Sequence, residues 1–283
     1  MPDEMTEETG TTYNKPQWLV VTDLDGTMLD HHSYDLEDAR VAVHELQDKQ
    51  IPVILNTSKT YVETITIRET LGIEDAFIVE NGSCIYLPKS HFAKPEKAGQ
   101  RDVYWSLVLG ASHRAINDVL QSIGLAEDAA VRLSQCTVEQ TIELTGLNEA
   151  QAQQAIAREF SEPLIWRDDD SSLLSFQQQL KQHGLTTLQG GRFLHVIGDC
   201  DKGRATQVLI GLYAGKVKTI VLGDSANDAA MLSVGDISVI VYSPSNHQLQ
   251  ELITPDIQTQ APAPKGWREA IETSLEQIHL IEE

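Results

Sequence analysis

The chain has 283 residues, 41% of them apolar, which suits one large domain or two modest ones with a proper core and excludes a disordered or fibrous chain. Forty-two acidic against 21 basic residues give a formal charge of −21, which opposes nucleic acid backbones and anionic membranes but admits a small phosphorylated ligand drawn in by a metal ion and local cations. No apolar run reaches the roughly 20 residues of a bilayer span, residues 1–17 are polar and acidic, and Cys84, Cys136 and Cys200 lack paired spacing, so the expectation is a soluble cytoplasmic protein with reduced thiols and no membrane or nucleic acid partner.

The first element is the apolar run Trp18–Thr22, read as a buried parallel strand. It ends in Asp23-Leu24-Asp25-Gly26-Thr27. Two carboxylates two residues apart on a strand-end loop can divide the chemistry between them, with Asp23 attacking phosphorus while Asp25 protonates the leaving oxygen and then activates water. An ordinary Asp-Gly turn is the bland alternative, and the full DxDGT run after a buried strand outweighs it.

Residues 36–49 carry a helical stripe of Leu36, Ala39, Val43 and Leu46, and residues 51–55 return to a strand. Asn56-Thr57-Ser58-Lys59-Thr60 then leads into a helix over 61–71, where unpaired N–H groups and a hydroxyl offer a phosphate seat. Thr57 is the preferred ligand, Ser58 and Lys59 are its neighbours in the seat, and Thr60 is read as an N-cap. A strand over 76–79 completes a βαβαβ series, which predicts a parallel sheet covered on both faces.

The same rhythm returns late, with a helix over 203–213, a strand over 219–222, a helix over 227–234 and a strand over 237–241. Lys202 opens the first of these helices, where the dipole disfavours a cation, so a role facing a carboxylate and a phosphate is assigned to it. Gly223-Asp224-Ser225-Ala226-Asn227-Asp228 follows the strand. Its hard oxygens suit Mg2+, with Asp224 as the better ligand and Asp228 holding a metal-bound water or Lys202.

Residues 88–191 hold helical stretches at 112–123, 138–144 and 149–160 and strand-like stretches at 164–166 and, just beyond, 193–196. A segment of that length with its own elements predicts an inserted domain at 89–191, with 1–88 and 192–283 forming the core. Gln189 near the insert's end and Arg192 just beyond it are candidate substrate residues, the arginine for its bidentate grip on a carboxylate, with a salt bridge to the insert as the even alternative. Glu162 and Arg158 are weaker candidates, and His195 is read as a packed histidine.

Taken together, DxDGT, a Ser/Thr after the second strand, a Lys and GDxxxD resemble the haloacid dehalogenase superfamily, subfamily IIB. The resemblance implies a Rossmann-like, doubly wound parallel core with an inserted α+β C2-type cap. It also implies Mg2+ held by Asp23, by Asp25 through its backbone carbonyl, and by Asp224, with a phospho-aspartate intermediate. The runs TSKT at 57–60, ENG at 80–82, ELTGL at 143–147, REFSEP at 158–163, GGRF at 190–193 and Gly266-Trp267 further resemble mannosyl-3-phosphoglycerate phosphatases, which make a compatible solute. That implies a phosphorylated glycoside as substrate and adds Asn81 to the binding residues. Glucosyl-3-phosphoglycerate, sucrose phosphate, a broad sugar-phosphate range and a non-catalytic sugar-phosphate binder are the alternatives.

Overall fold

The computed structural model describes residues 16–30, 36–126, 128–190, 192–244 and 246–282. The acidic start of the chain and Gly191 of the Gly-Gly pair lie outside them. In chain order the first elements are β1 (Trp18–Thr22), α1 (Glu37–Asp48), β2 (Val53–Asn56), α2 (Tyr61–Leu71), β3 (Phe77–Val79), β4 (Cys84–Pro88), β5 (Gly99–Arg101) and β6 (Tyr104–Val108). Then come α3 (His113–Ser122), β7 (Ala130–Arg132), α4 (Val138–Thr145), α5 (Glu149–Ile156), β8 (Ser161–Trp166), α6 (Asp170–Gln182), β9 (Leu185–Gln189) and β10 (Leu194–Gly198). The chain closes with α7 (Lys202–Leu212), β11 (Lys218–Gly223), α8 (Ala229–Leu232), β12 (Ile237–Ile240), α9 (His247–Leu252), β13 (Ile257–Gln258) and α10 (Lys265–Glu282).

Among the described residues, nine strands form one sheet in the order β13-β12-β11-β1-β2-β3-β4-β6-β5. The six from β13 to β3 are parallel, and β4, β6 and β5 extend the sheet antiparallel. Strand alternation explains its two covers. Val20, Leu55 and Leu222 pack with α1, α2 and α10 on one face, while Leu19, Val21, Ile54 and Val221 pack with α7, α8 and α9 on the other. The expected doubly wound α/β core is therefore present. The chain crosses from β1 to β2 on one side, and β11 returns on the other side of β1. The carboxyl ends of β1 and β11 therefore flank the switch point where such sheets bind ligands.

A second, antiparallel sheet has the order β7-β8-β10-β9. Helices α3 and α6 cover one of its faces through Ile116, Leu120, Phe176 and Leu180, packed on Leu164, Leu185, Leu194 and Val196. The pairing moves both boundaries read from sequence. β5 and β6 belong to the first sheet although they follow residue 88, and β10 belongs to the second although it follows residue 191. The two passages between sheets meet where the backbone of Gly198 lies against Gly110 and Ala111, an approach a side chain would block. No helix of the described residues is long and apolar enough to cross a membrane.

Candidate active site

Each strand-end motif is delivered by its strand. After β1 the chain folds into a compact turn in which Thr27, Met28 and Leu29 each donate N–H to the Leu24 carbonyl. Leu24 and Met28 are buried in the core, which leaves Asp23 and Asp25 pointing away from it. Asp23 is 5% exposed, and its Oδ1 lies 2.8 Å from Lys202 Nζ. The same ammonium donates to Asp228 Oδ1 at 2.7 Å. Burial pushes the Asp23 carboxyl up to about 8, against the pull of Lys202 and with Asp228 and Asp224 adding to the rise. Burial works against the Lys202 charge, but Asp228 and Asp23 outweigh it and hold the ammonium above its ordinary value.

Lys202 reaches this position because Asp201 N-caps α7, accepting from Arg204 N at 2.8 Å, and because the Lys202 carbonyl is gripped by Asn56 Nδ2 at 2.9 Å. Asn56 thus ties the end of β2 to the lysine's helix. Asp224 Oδ1 accepts the Thr27 hydroxyl at 2.9 Å, which joins the two strand ends at the switch point. Asp228 Oδ2 accepts N–H from Asp224 and Ser225, each at 3.1 Å. Carboxylate oxygens of Asp23, Asp224 and Asp228 lie within 4.8 Å of one another. Both oxygens of Asp228 accept hydrogen bonds, Oδ1 from the Lys202 ammonium and Oδ2 from two main-chain N–H groups.

Asp25 is partly exposed, with Oδ2 2.9 Å from Lys59 Nζ and Oδ1 without a partner among the described residues. Thr57 is fully buried, and its Oγ1 accepts from Lys59 N at 3.1 Å, which leaves the hydroxyl hydrogen free to donate elsewhere. Thr60 is an N-cap in a capping box with Glu63, as its position suggested. Beside this loop, Glu80 (φ 48°), Asn81 (φ 58°) and Gly82 (φ 92°) form a turn in left-handed backbone, costly for the two non-glycine residues and held by its neighbours. Asn81 N donates to the Thr57 carbonyl at 3.0 Å, and its side-chain Nδ2 is buried without a partner among the described residues.

The insert meets the core here through contacts the sequence did not reveal. Glu80, 1% exposed, accepts N–H from Glu159 at 2.9 Å and Phe160 at 3.1 Å as well as the Ser161 hydroxyl. Arg158 Nη1 donates to the Ser58 carbonyl at 2.7 Å, and Thr60 Oγ1 donates to the Gln154 carbonyl at 3.0 Å. These docking bonds explain why α5 stops at Ile156 instead of running to residue 160. His195 is buried, as expected for a packed histidine; burial, Arg158 and Lys202 pull its imidazole down to about 3, so it is neutral.

The other candidates in the insert sit elsewhere. Gln189 shares a face of β9 with Leu185, which is in the insert's core, and Thr187, which bonds Gln177 of α6, and it donates to the Gly190 carbonyl at 2.8 Å. Arg192 donates to the Leu144 and Thr145 carbonyls at 3.0 and 2.9 Å, so its guanidinium closes the end of α4. Glu162 is buried among His113, Arg132 and Ser134 inside the insert. A cleft of about 200 Å³ opens beside Lys59 between α2 and α5, lined also by Glu63, Leu147, Gln151 and Gln154. A larger cavity of about 740 Å³, around Arg68, Glu74 and Asp102, shares no residue with the carboxylate cluster.

Residues 20–252 match the haloacid dehalogenase-like hydrolase family. A glucosyl-3-phosphoglycerate/mannosyl-3-phosphoglycerate phosphatase from Persephonella marina is 34% identical over 267 residues, covering 92% of this chain and 98% of the relative. A protein of the same description from Methanococcoides burtonii is 34% identical over 259 residues, covering 89% and 95%. Among solved structures, a phosphatase of the haloalkanoate (HAD) superfamily from Bacteroides thetaiotaomicron aligns with a TM-score of 0.66 at 17% identity, covering 95% of this chain and 98% of that one. The sucrose-phosphatase of Synechocystis, solved with sucrose and phosphate, aligns at 0.61 with 18% identity, covering 91% and 98%.

Proposed function

The chain belongs to the haloacid dehalogenase-like hydrolase family and is a phosphatase, and from that premise we propose that it hydrolyses mannosyl- or glucosyl-3-phosphoglycerate to the glycosylglycerate and phosphate. The observation that carries the chemistry is the buried Asp23 carboxylate 2.8 Å from Lys202, with Asp25 on the same turn. The substrate rests on two relatives of that description that align over almost their whole length.

In this reading Asp23 attacks phosphorus and carries the phosphoryl group, since its partners hold it at the carboxyl ends of β1 and β11. Asp25, partly solvated and with one oxygen unengaged, donates a proton to the departing glycerate oxygen and later takes one from water. The Thr57 hydroxyl, the Ser58 N–H ahead of α2 and Asn81 Nδ2 seat the phosphate oxygens, while the Lys59 N–H holds the Thr57 hydroxyl oxygen in place. Lys202 neutralises charge that develops between nucleophile and phosphate. Asp23, Asp224 and the Asp25 main-chain carbonyl would hold Mg2+, a fit that two hard carboxylates at neighbouring strand ends support. When bound, the ion would lessen the repulsion between carboxylate and phosphate and orient the phosphoryl group.

The unit between Gly110 and Gly198 is the cap in this proposal. It closes over Asp23, excludes water during attack and reads the glycoside. The setting is cytoplasmic, consistent with three free thiols. Phosphate release from mannosyl-3-phosphoglycerate, glucosyl-3-phosphoglycerate, sucrose 6-phosphate and p-nitrophenyl phosphate, measured side by side, tests the reading. The two phosphoglycerates should exceed the others in kcat/KM, and a higher value for sucrose 6-phosphate or an even response across the panel would overturn it.

A further inference from the structure

We infer that Arg158, carried by the insert, is the cation that reads the substrate's carboxylate, an inference that rests on the phosphoglycerate reading above. The covalent frame of the substrate sets the requirement. In a 3-phosphoglycerate unit the carboxyl carbon is separated from the phosphate-bearing oxygen by two carbons, so its oxygens lie on the order of 5 Å from phosphorus. The partner of that carboxylate must therefore stand beside the phosphate seat at Thr57 and Ser58.

Among the described residues, three cations border the seat. Lys202 is held between Asp23 and Asp228 at 2.8 and 2.7 Å. Lys59 lies 2.9 Å from Asp25 and 3.9 Å from Glu63. Arg158 differs from both. Its Nε donates to the Ala155 carbonyl at 3.3 Å, and its Nη1 donates to the Ser58 carbonyl at 2.7 Å and the Ser161 hydroxyl at 3.3 Å. Nη2 carries two further N–H groups that bond no described residue. Burial raises the Glu80 carboxyl and the nearby guanidinium works against that rise, yet the oxygens of Glu80 are taken by Glu159 N–H, Phe160 N–H and the Ser161 hydroxyl.

These contacts fix the guanidinium one residue from Thr57 while leaving a donor nitrogen to spend on an anion. A planar guanidinium there offers a carboxylate a charge-assisted bond that an ammonium on a flexible stem matches poorly. Arg192, with Nη1 on two carbonyls of α4, is not placed by any such contact with the seat. Because Arg158 belongs to the insert, the carboxylate is engaged when insert and core are together. Recognition is thereby coupled to enclosure of the site.

The test uses the full-length protein and its Arg158→Gln and Arg158→Lys variants on three substrates: glucosyl-3-phosphoglycerate, the same compound with its carboxylate replaced by a carboxamide, and p-nitrophenyl phosphate. Wild type should prefer the acid over the amide by roughly 10- to 100-fold in kcat/KM, expressed mainly in KM. Arg158→Gln should lose that preference, over and above the common fall on all three substrates that loss of its bond to the Ser58 carbonyl brings, and Arg158→Lys should regain part of it. An equal fall on all three substrates would make Arg158 a strut between insert and core and overturn the inference. Equal turnover of acid and amide by wild type would also overturn it, while leaving the phosphoglycerate reading intact. Wild type that cleaves p-nitrophenyl phosphate but neither phosphoglycerate would overturn both.

Discussion

Gly82→Ala is a sensitive probe of how the turn after β3 holds the lysine that faces Asp23. Gly82 has φ 92°, and a Cβ there would lie 2.2 Å from the Asp201 carbonyl oxygen and 2.5 Å from its carbon, inside the 3.0 Å that real Cβ atoms keep. Left-handed backbone costs an L-residue about 1–2 kcal/mol, and relieving the contact costs a further 1–2 kcal/mol or so of overpacking strain. The contacted group is main chain, so it cannot rotate away. Asp201 caps α7 and precedes Lys202, whose ammonium is placed on Asp23 and Asp228. A shift of about 1 Å at this point is enough to cost on the order of 100-fold in turnover. Gly72→Ala supplies the control: Gly72 has φ 67° with nothing within 4 Å of an added Cβ, so it bears the backbone penalty without the collision. Thermal unfolding and kcat on p-nitrophenyl phosphate should show Gly82→Ala lower in Tm by roughly 5 to 10 °C and about 100-fold slower, with Gly72→Ala mildly destabilised at unchanged kcat. If the two variants lose equal stability and keep equal kcat, the contact with Asp201 does not position Lys202.

Asp23→Asn should abolish turnover while keeping the unfolding transition, since the amide preserves shape but not nucleophilicity; phosphate release from a folded variant at more than a few per cent of the wild-type rate would be incompatible with attack by Asp23. Chelation should remove activity and Mg2+ should restore it, whereas Ca2+, which takes more ligands at longer distances, should inhibit; full activity in excess chelator would refute the metal assignment. Burial raises the Glu162 carboxyl, but hydrogen bonds from His113 and Ser134 and the charge of Arg132 outweigh it and hold it below its ordinary 4.5. Its stabilisation is therefore present above that ordinary value and lost as pH falls through the lower folded one. The urea midpoint of Glu162→Gln should lie below wild type at pH 7 and converge on it under acid conditions. Trp267→Phe removes the Nε1 bond to Thr22 Oγ1 at 3.0 Å, and Thr22 in turn donates to the Asp23 carbonyl, so a loss of about 1–2 kcal/mol with a modest fall in kcat is expected from denaturation and steady-state assays.

The parallel core was legible because its strands announce themselves locally. VVT before Asp23 and IVL before Gly223 are apolar runs cut short by polar loops, and a strand buried on both faces needs no partner to be recognised. The antiparallel extension gave no such signal. β5 is three residues, Gly99–Arg101, two of them exposed, and its identity as a strand comes from pairing with β6. The same physics moved the insert's boundaries, because which sheet a strand joins is a property of its partner. Helix α6 was missed although Asp169 caps it and Phe176 and Leu180 lie four apart on its buried side; a run of glutamines around them diluted the stripe.

For the site, legibility falls off with the distance in sequence between a residue and the strand that places it. Asp23, Thr57, Asn81 and Asp224 lie one or two residues beyond a strand, so the strand's position fixes theirs; the first two and Asp224 were read from that placement, and Asn81 from the family resemblance. Arg158 and Arg192 were open to confusion because each sits in a turn of the insert, where the backbone's path depends on contacts with remote segments. Gly190 and Arg192 belong to the GGRF run that carried part of the family resemblance, with Arg192 a candidate for gripping a carboxylate. The hairpin between β9 and β10 accounts for the glycine instead, since Gly190 N bonds the Phe193 carbonyl at 2.9 Å and Gln189 pairs with Leu194. For Arg158, the deciding fact is that residues 158–161 leave the helical path to bond Glu80 and Ser58, which lie 79 to 100 residues earlier in the chain. A signal was present in Glu80-Asn81-Gly82, where a glutamate and an asparagine precede a glycine directly after a buried strand, a place where a turn demands left-handed backbone. An acid forced into that conformation and buried needs donors from outside its own loop, and the insert's backbone at 159–160 is where the fold supplies them.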